Sequence, residues 1–394
     1  MQQKVVIVAG KRTPIGSFQG QFSSISATDL GSHVVKKLLY DFQINPNQIE
    51  EIILGNVLSA GQGQAPARQV AIKSGCPNTI ESLTINKMCG SGLKAVMLAE
   101  QIIRCGDADT IIAGGMESMT NAPYLLKDAR SGQRLGHGKL IDSMIHDGLW
   151  DAYNNLHMGN CAEMLAKKRN YTRDAQDKFA IESYNRTISA IKNKIFTPEI
   201  VPIEVMKRKN NSLIIEDDEE PGRVKFEKIS KIRPAFEENG TITAANASKL
   251  NDGAAALLIM SEKKAKKLNI KPIATILGHA SAAHEPKWFT TAPSKVISKL
   301  LNKLQLVSSD IDLWEINEAF SVVTMAAMDD FHIDHKRVNI YGGAIAMGHP
   351  IGASGARILT TLLNGMSQTK AKLGLAALCI GGGEASALVI ERYD

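Results

Sequence analysis

Val34–Asn56, VVKKLLYDFQINPNQIEEIILGN, returns without a gap as Val296–Glu318, VISKLLNKLQLVSSDIDLWEINE. Leu300 follows Leu38 by 262 positions, and Ile311 follows Ile49 by the same 262. Lys37/Lys299, Leu39/Leu301 and Gln43/Gln305 keep that offset. Each copy reads as a helix, a polar turn and a short apolar strand, and the shared identities indicate a duplicated βα unit. The repeat continues more loosely. Cys89 opens CGSGLKAVMLAEQIIRCG, followed by DTIIAGGMES; His349, 260 positions later, opens HPIGASGARILTTLLNG, followed by LGLAALCIGGGEAS. Both read as a Gly-rich turn, a buried helix, a strand, a glycine pair and a glutamate. If a pseudo-two-fold axis relates the halves, Cys89 and His349 occupy nearly equivalent strand-to-helix turns and face each other across the junction.

The rest of the chain is consistent with two such lobes. Its 394 residues are 44% hydrophobic and 22% charged, ordinary for a folded protein and incompatible with a disordered or fibrous one. Thirty-two glycines punctuate short apolar strands and amphipathic helices, the pattern of an α/β architecture. No apolar run approaches the ~20 residues needed to span a bilayer. Val5–Ala9 is too short for a signal-peptide core and reads as a first strand, so a soluble, cytoplasmic protein is expected. Roughly Thr120–Thr243 breaks the rhythm with a Gly/Ser/His-rich stretch at Ser131–Gly138, an amphipathic helix near Arg173–Asn193 and the charged run Glu216–Glu220. This is expected to be an inserted loop domain that carries ligand contacts. The division is then residues 1–119 with 244–270 for the first half, 120–243 for the insertion and 271–394 for the second half.

The net charge is +6, from 46 basic and 40 acidic residues. The densest basic stretches, Lys207–Lys209 and Lys263–Lys267, have no interleaved aromatics, and aromatics are only 5% overall, so nucleic-acid binding is not indicated. Lys263–Lys267 reads as a solvated helix face. An anionic small ligand stays open. The five cysteines are odd in number and lack a C-x-x-C pair, which argues against a disulfide framework or a metal site. Each is a small buried hydrophobe or a nucleophile.

Cys89, in NKMCGSGLKAV, stands at a helix N-terminus, where the dipole and unpaired N–H groups favour a thiolate. On spacing alone, an inert buried cysteine fits equally well. His349, between glycine and proline in GGAIAMGHPIGASGAR, reads as a structural loop histidine unless it is paired with that thiol, in which case it is an activating base. Cys379 ends an apolar strand, where burial is the ordinary reading. The run Gly381–Gly383 after it offers backbone N–H groups suited to an oxyanion. Asn317-Glu318 closes the second repeat copy where the first has Gly55-Asn56, so packing of the repeat does not explain that polar pair.

Together these segments resemble the thiolase family: NKMCGSG around Cys89, NEAF at Asn317–Phe320, GHPxGxSG at His349–Gly355 and CxGGG at Cys379–Gly383. The likeness runs from VAGKRTPIG at Val8–Gly16 to the C-terminal strand. It implies a thiolase fold, with two duplicated βαβαβαββ halves in a five-layered α-β-α-β-α core and an inserted loop domain. It implies Cys89 as the nucleophile that carries the acyl group, and His349 as its activator and a ligand of the thioester oxygen. Asn317 would hold a catalytic water, Cys379 would move the α-proton, and the N–H groups of Cys89 and Gly381 would form an oxyanion hole around the acyl-enzyme. His157-Met158-Gly159, Arg233–Phe236 and AANASKLND at Ala244–Asp252 resemble the short-chain acetoacetyl-CoA branch, placing His157, Met158, Phe236, Ser248 and Phe320 along the acyl and pantetheine tunnel. Two departures stand out. Pro286–Thr290 replaces a glycine-rich turn that carries a methionine, and the phosphate-binding arginine is matched only by the nearby Arg223.

The implied reaction is reversible condensation of two acetyl-CoA to acetoacetyl-CoA and CoA. Its partners are these thioesters, without nucleic acid, membrane, metal, flavin or nicotinamide, in a homotetramer built from tight dimers. Potassium activation is left open. A ketoacyl-carrier-protein synthase on the same fold and a catalytically silent acyl-CoA carrier are the rival readings; Cys379 argues against the first, and the intact set Cys89, Asn317, His349 and Cys379 against the second.

Overall fold

A computed structural model describes residues 3–206 and 211–393. The first half contributes β1 (Val5–Arg12), α1 (Ala27–Asp41), β2 (Glu51–Gly55), α2 (Pro66–Lys73), β3 (Glu81–Ile85), α3 (Ser91–Cys105), β4 (Thr110–Ser118) and, after the insertion, β5 (Asn251–Ser261). Within the insertion lie α4 (Met158–Arg169), α5 (Arg173–Lys192) and three small two-stranded sheets among the described residues. The second half contributes β6 (Ala274–Ala283), α6 (Ala292–Leu304), β7 (Leu313–Ile316), α7 (Ser321–Phe331), α8 (Ser354–Thr369), β8 (Leu373–Ile380) and β9 (Glu384–Arg392).

These strands run in the order β7-β8-β9-β6-β1-β5-β4-β2-β3, with the two-residue strand Gly16–Ser17 also pairing with β5. The path is palindromic in structure. In each half two strands pair in parallel, β2 with β4 and β7 with β8, and two more follow antiparallel. Even β3, parallel to β2, has a counterpart in the single parallel bridge from Trp314 to Val338. The halves join where Val6 and Ile7 of β1 meet Thr275 and Ala274 of β6.

Strand alternation distributes the core into layers. Val6, Val8, Ile52, Leu54, Leu258 and Met260 face α1 and α2, while Val5, Ile7, Ile53, Leu257 and Ile259 face the opposite way, onto α3 and α8. In the second half Leu378, Leu388 and Ile390 join that middle layer, and Leu375, Ala377 and Val389 pack against α6. Strands buried on both faces therefore read as unbroken apolar runs. The arrangement is helix, sheet, helix, sheet, helix, as the resemblance implies.

The constant offset has a structural counterpart. The 3₁₀ turn Ser308–Asp310 stands 262 positions after its equivalent Pro46–Gln48, and β7 begins 262 after β2. Beyond that point the offset changes: α8 begins 263 positions after α3, and β8 begins 263 after β4. The true counterpart of Cys89 is therefore Gly352, not His349, which stands three residues further from its helix. Glu384 likewise opens β9 and is not the counterpart of Glu117, which lies inside β4. Of the basic stretches, Lys263–Lys267 lies on the short helix Glu262–Lys267, in which only Ala265 is buried; Lys207–Lys209 lies outside the described residues.

Candidate active site

Side chains of its own segment build the turn that carries Cys89. Met88 is held at φ 47°, a left-handed conformation that costs a residue with a Cβ about 1 kcal/mol. The Asn86 side chain accepts its N–H at 2.9 Å. Ser91 Oγ accepts the Lys87 N–H at 2.8 Å and donates to the Met88 carbonyl at 2.7 Å. Cys89 is thereby presented, half-buried, to a cavity of about 380 Å³. His349 and Gly381 of the second half line the same cavity, as do His157, Met158, Phe236, Ser248 and Phe320. A thiol and an imidazole 260 positions apart in the chain thus share one chamber.

The thiol is not a resting thiolate. Burial pushes it up to about 11, the N–H groups of Gly381 and of Cys89 itself pull the other way, and the Glu117 carboxylate adds to the rise. The expectation from the helix N-terminus is corrected on this point, because desolvation outweighs the dipole. The two N–H groups that aim at the sulfur are those of Cys89 and Gly381, the pair named for the oxyanion hole.

His349 is neutral. Burial, with the Arg357 cation behind it, drives the imidazole down to about 3. Its Nδ1 lies 2.6 Å from Ser354 Oγ, its main-chain N–H donates to Asn251 Oδ1 at 2.9 Å, and its buried Nε2 has no hydrogen-bond partner among the described residues. Gly348, at φ 114°, allows this approach, since a Cβ there would fall 2.4 Å from the Asn251 side chain.

Cys379 does not line the cavity. It is fully buried behind the wall, among Met158, Phe289, Ala319 and Phe320. Burial, and then the charge of a Cys89 thiolate, hold its thiol well above the ordinary range, which places the two sulfurs within electrostatic reach. Asn317 is also behind the wall, with 1% exposure and a carboxamide whose nitrogen and oxygen have no hydrogen-bond partner among the described residues. His157 caps α4, its Nδ1 accepting the Gly159 N–H at 3.0 Å, and stacks on Phe236 with ring centroids 4.8 Å apart. Phe236 in turn meets Phe320 edge-on at 6.1 Å. Ser248 is held by its N–H, which donates at 3.0 Å to the carbonyl of Ala319, in the segment that leads from β7 into α7. Arg223 is not brought in: it lies exposed on the turn Pro221–Arg223, 3.6 Å from Glu219, and does not line the cavity.

Residues 5–263 match the family described as the N-terminal domain of thiolase, and residues 270–392 match the C-terminal domain. The chain belongs to the thiolase family. A relative from Allochromatium vinosum called acetyl-CoA acetyltransferase is 50% identical over 393 residues, covering all of both chains. One of the same name from Schizosaccharomyces pombe is 49% identical over 99% of each. Among solved structures, the Acat5 thiolase from Ascaris suum in complex with coenzyme A superposes with TM-score 0.93 at 43% identity, covering 99% of this chain and 100% of that one. The Bacillus anthracis acetyl-CoA acetyltransferase gives 0.96 at 37% identity over 99% of each.

Three contributors to this thiolase site escaped the sequence reading. Lys249 is the cation that lines the cavity; its Nζ donates to the carbonyls of Ala244 and Ala247. The turn Met144–Leu149 adds apolar wall from the insertion. Glu117 is a lone acid in the apolar run TIIAGGMES, and an acid in such a strand is itself a signal, because burial requires it to be fully bonded.

Proposed function

We propose that this thiolase is an acetyl-CoA C-acetyltransferase. It condenses two acetyl-CoA to acetoacetyl-CoA and CoA, and runs the thiolysis in reverse, by a ping-pong path through an acetyl-Cys89 thioester. The observation that carries the reading is one sulfur that meets two N–H donors, shares its cavity with a neutral imidazole and lies within electrostatic reach of a second thiol. Relatives sharing about half of the sequence over its full length bear that name.

In the first half-reaction Cys89 Sγ attacks the acetyl-CoA carbonyl while His349 Nε2 takes the thiol proton. The C–S bond to CoA then breaks, and the departing thiolate receives that proton. General base catalysis of this kind is worth about 10²–10⁴-fold. The acetyl oxygen sits on the N–H groups of Cys89 and Gly381, each donor contributing about 3 kcal/mol. In the second half-reaction Cys379, its own proton given up to solvent once Cys89 is a neutral thioester, removes the α-proton of a second acetyl-CoA, whose oxygen is stabilised by His349 and by a water on Asn317. The carbanion attacks the acetyl-Cys89 carbonyl, and Cys89 Sγ leaves to regain a proton.

Ser354 lets one imidazole serve both steps. Its hydroxyl is 2.9 Å from the Pro350 carbonyl and 2.6 Å from His349 Nδ1. Donating to Pro350, it leaves the ring proton on Nδ1 and Nε2 as a base. Turned to donate to Nδ1, it leaves the proton on Nε2, which then donates to the thioester oxygen.

The proposal extends to a cofactor-free, cytoplasmic homotetramer of fatty acid metabolism. Assembly is supported by exposed apolar side chains on the insertion, among them Tyr124, Leu135 and Leu140. Among the described residues no helix is long and apolar enough to cross a membrane. Acetyl-CoA alone, without a malonyl donor, should yield acetoacetyl-CoA. A thiolysis series over straight and 2-methyl acyl-CoAs, with and without potassium, sets the acyl range, and sedimentation sets the assembly. Folded enzyme that turns over in neither direction overturns the reading.

A further inference from the structure

We propose that Glu117 is a positioning residue for the reaction, holding the His349-bearing loop of the second half in register with Cys89 of the first. The inference rests on Cys89 and His349 being the reacting pair. Glu117 is fully buried in β4. One carboxylate oxygen accepts Asn56 Nδ2 at 2.9 Å and the Leu58 N–H at 3.1 Å; the other accepts the Val57 N–H at 3.1 Å and the Gly352 N–H at 2.9 Å. The last of these crosses between the halves. Gly352 is the counterpart of Cys89, and its neighbour Ile351 lines the cavity. A Cβ at Gly352 would lie 2.7 Å from the carboxylate, so the glycine permits the approach. The same carboxylate faces Cys89, since its charge raises that thiol. One group therefore holds the imidazole's loop and sets the field at the sulfur.

The titratable groups that face Glu117 are Asp252 of β5, bonded to Ser118 and Thr120, and the Cys89 thiol. Burial raises the Glu117 carboxyl to about 7, against the pull of its N–H donors. Protonation as pH falls through that value weakens the bridge, so kcat should carry an acid limb near neutrality.

The test is Glu117→Gln, which keeps the shape and removes the charge. Expected are a kcat reduced about tenfold, as for loss of one charge-assisted bond, KM for acetyl-CoA within about twofold, and no acid limb. Alkylation of Cys89 at pH 8 should become faster, because a raising charge is gone. Asn56→Ala, which deletes one donor, should move the limb to higher pH. Wild-type kcat with an unchanged limb in Glu117→Gln overturns the proposal, as does a joint fall of kcat, alkylation rate and melting temperature. If Glu117→Gln fails to fold, Asn56→Ala decides: an unmoved limb overturns it. Acetylation of wild-type Cys89, read by mass spectrometry, is the separate control; its failure sinks the functional reading and not this one alone.

Discussion

Gly355→Ala and Gly365→Ala place the same methyl group on the same helix, α8, and should act in opposite directions. At Gly355 an added Cβ would lie 2.3 Å from the Leu93 nitrogen and 3.0 Å from its Cα, and the facing Gly92 is also tight, with a Cβ 2.8 Å from the Ala356 nitrogen. Non-bonded contacts need about 3.5 Å or more. The neighbour is helix backbone and cannot rotate away, so α3 and α8 must part by about 1 Å. Overpacking of this kind costs ~1–3 kcal/mol. The larger effect is on chemistry. Ser91, the first residue of α3, follows Cys89 by two positions, and Ser354, the first of α8, bonds His349. A displacement of about 1 Å in such a pair is worth ~10²-fold in rate.

At Gly365 the nearest atoms to an added Cβ, on Leu313 and Ile340, are 3.6 and 3.7 Å away, which is ordinary contact. Alanine there should hold or raise stability, by up to about 1 kcal/mol from helix propensity. Urea unfolding and initial rates of acetoacetyl-CoA thiolysis on both variants provide the comparison. Equal behaviour of the two variants, or wild-type kcat in Gly355→Ala, would show that the crossing of the central helices does not set the catalytic geometry.

Cys89→Ala should form no acyl-enzyme, whereas Cys379→Ala should take up one acetyl group from acetyl-CoA yet fail to condense; an unlabelled Cys379→Ala protein, by mass spectrometry, contradicts the division of roles. Arg12 is fully buried with Glu199 at 2.5 Å and Asp218 at 2.7 Å, so Arg12→Ala strands two buried carboxylates and should destabilise by ~3–5 kcal/mol in denaturant titration; a loss below 1 kcal/mol counts against it. Burial holds the imidazoles of His349, His279 and His335 down to about 3, 4 and 4. At these three positions only the unfolded chain, with histidines near 6.5, binds protons between these values, so their contribution to stability is full above about pH 6.5 and falls as pH drops toward 4, against the opposite trend of the buried Glu117 and Glu315 carboxyls, raised to about 7 and 8. A His335→Asn variant whose melting temperature changes from pH 7 to 4.5 just as the wild type's does rejects this.

The duplication was legible because the second copy keeps its helix, turn and strand at one offset, and packing against equivalent layers preserves apolar spacing. Register was legible only as far as β7. The short helix Ala344–Met347 and the loop around His349 have no equal in the first half, so a pattern match there slips by three residues. Cys89 and His349 could be placed together through the duplication, and Gly381 beside them through the family resemblance carried by the motifs around each. The protonation state of the thiol could not, since a helix N-terminus is visible in sequence but the burial opposing it comes from distant segments. Arg223 shows the same limit: its type was right for a phosphate, and its position on an exposed turn depends on how the insertion folds.

The two thiols gain an order of events from their proximity. A Cys89 thiolate would hold Cys379 still higher than burial alone, so ionisation of one sulfur opposes ionisation of the other across the cavity wall. Acetylation turns Cys89 into a neutral thioester that cannot ionise, so Cys379 is the one sulfur left to carry a thiolate, and it does so once an acceptor for the carbanion is in place. In the reverse direction, the attack of CoA on acetyl-Cys89 restores the Cys89 sulfur and returns Cys379 to its protonated state. Mutual exclusion of charge between the sulfur on β8 and that of the Cys89 turn thus favours acetylation before α-proton removal.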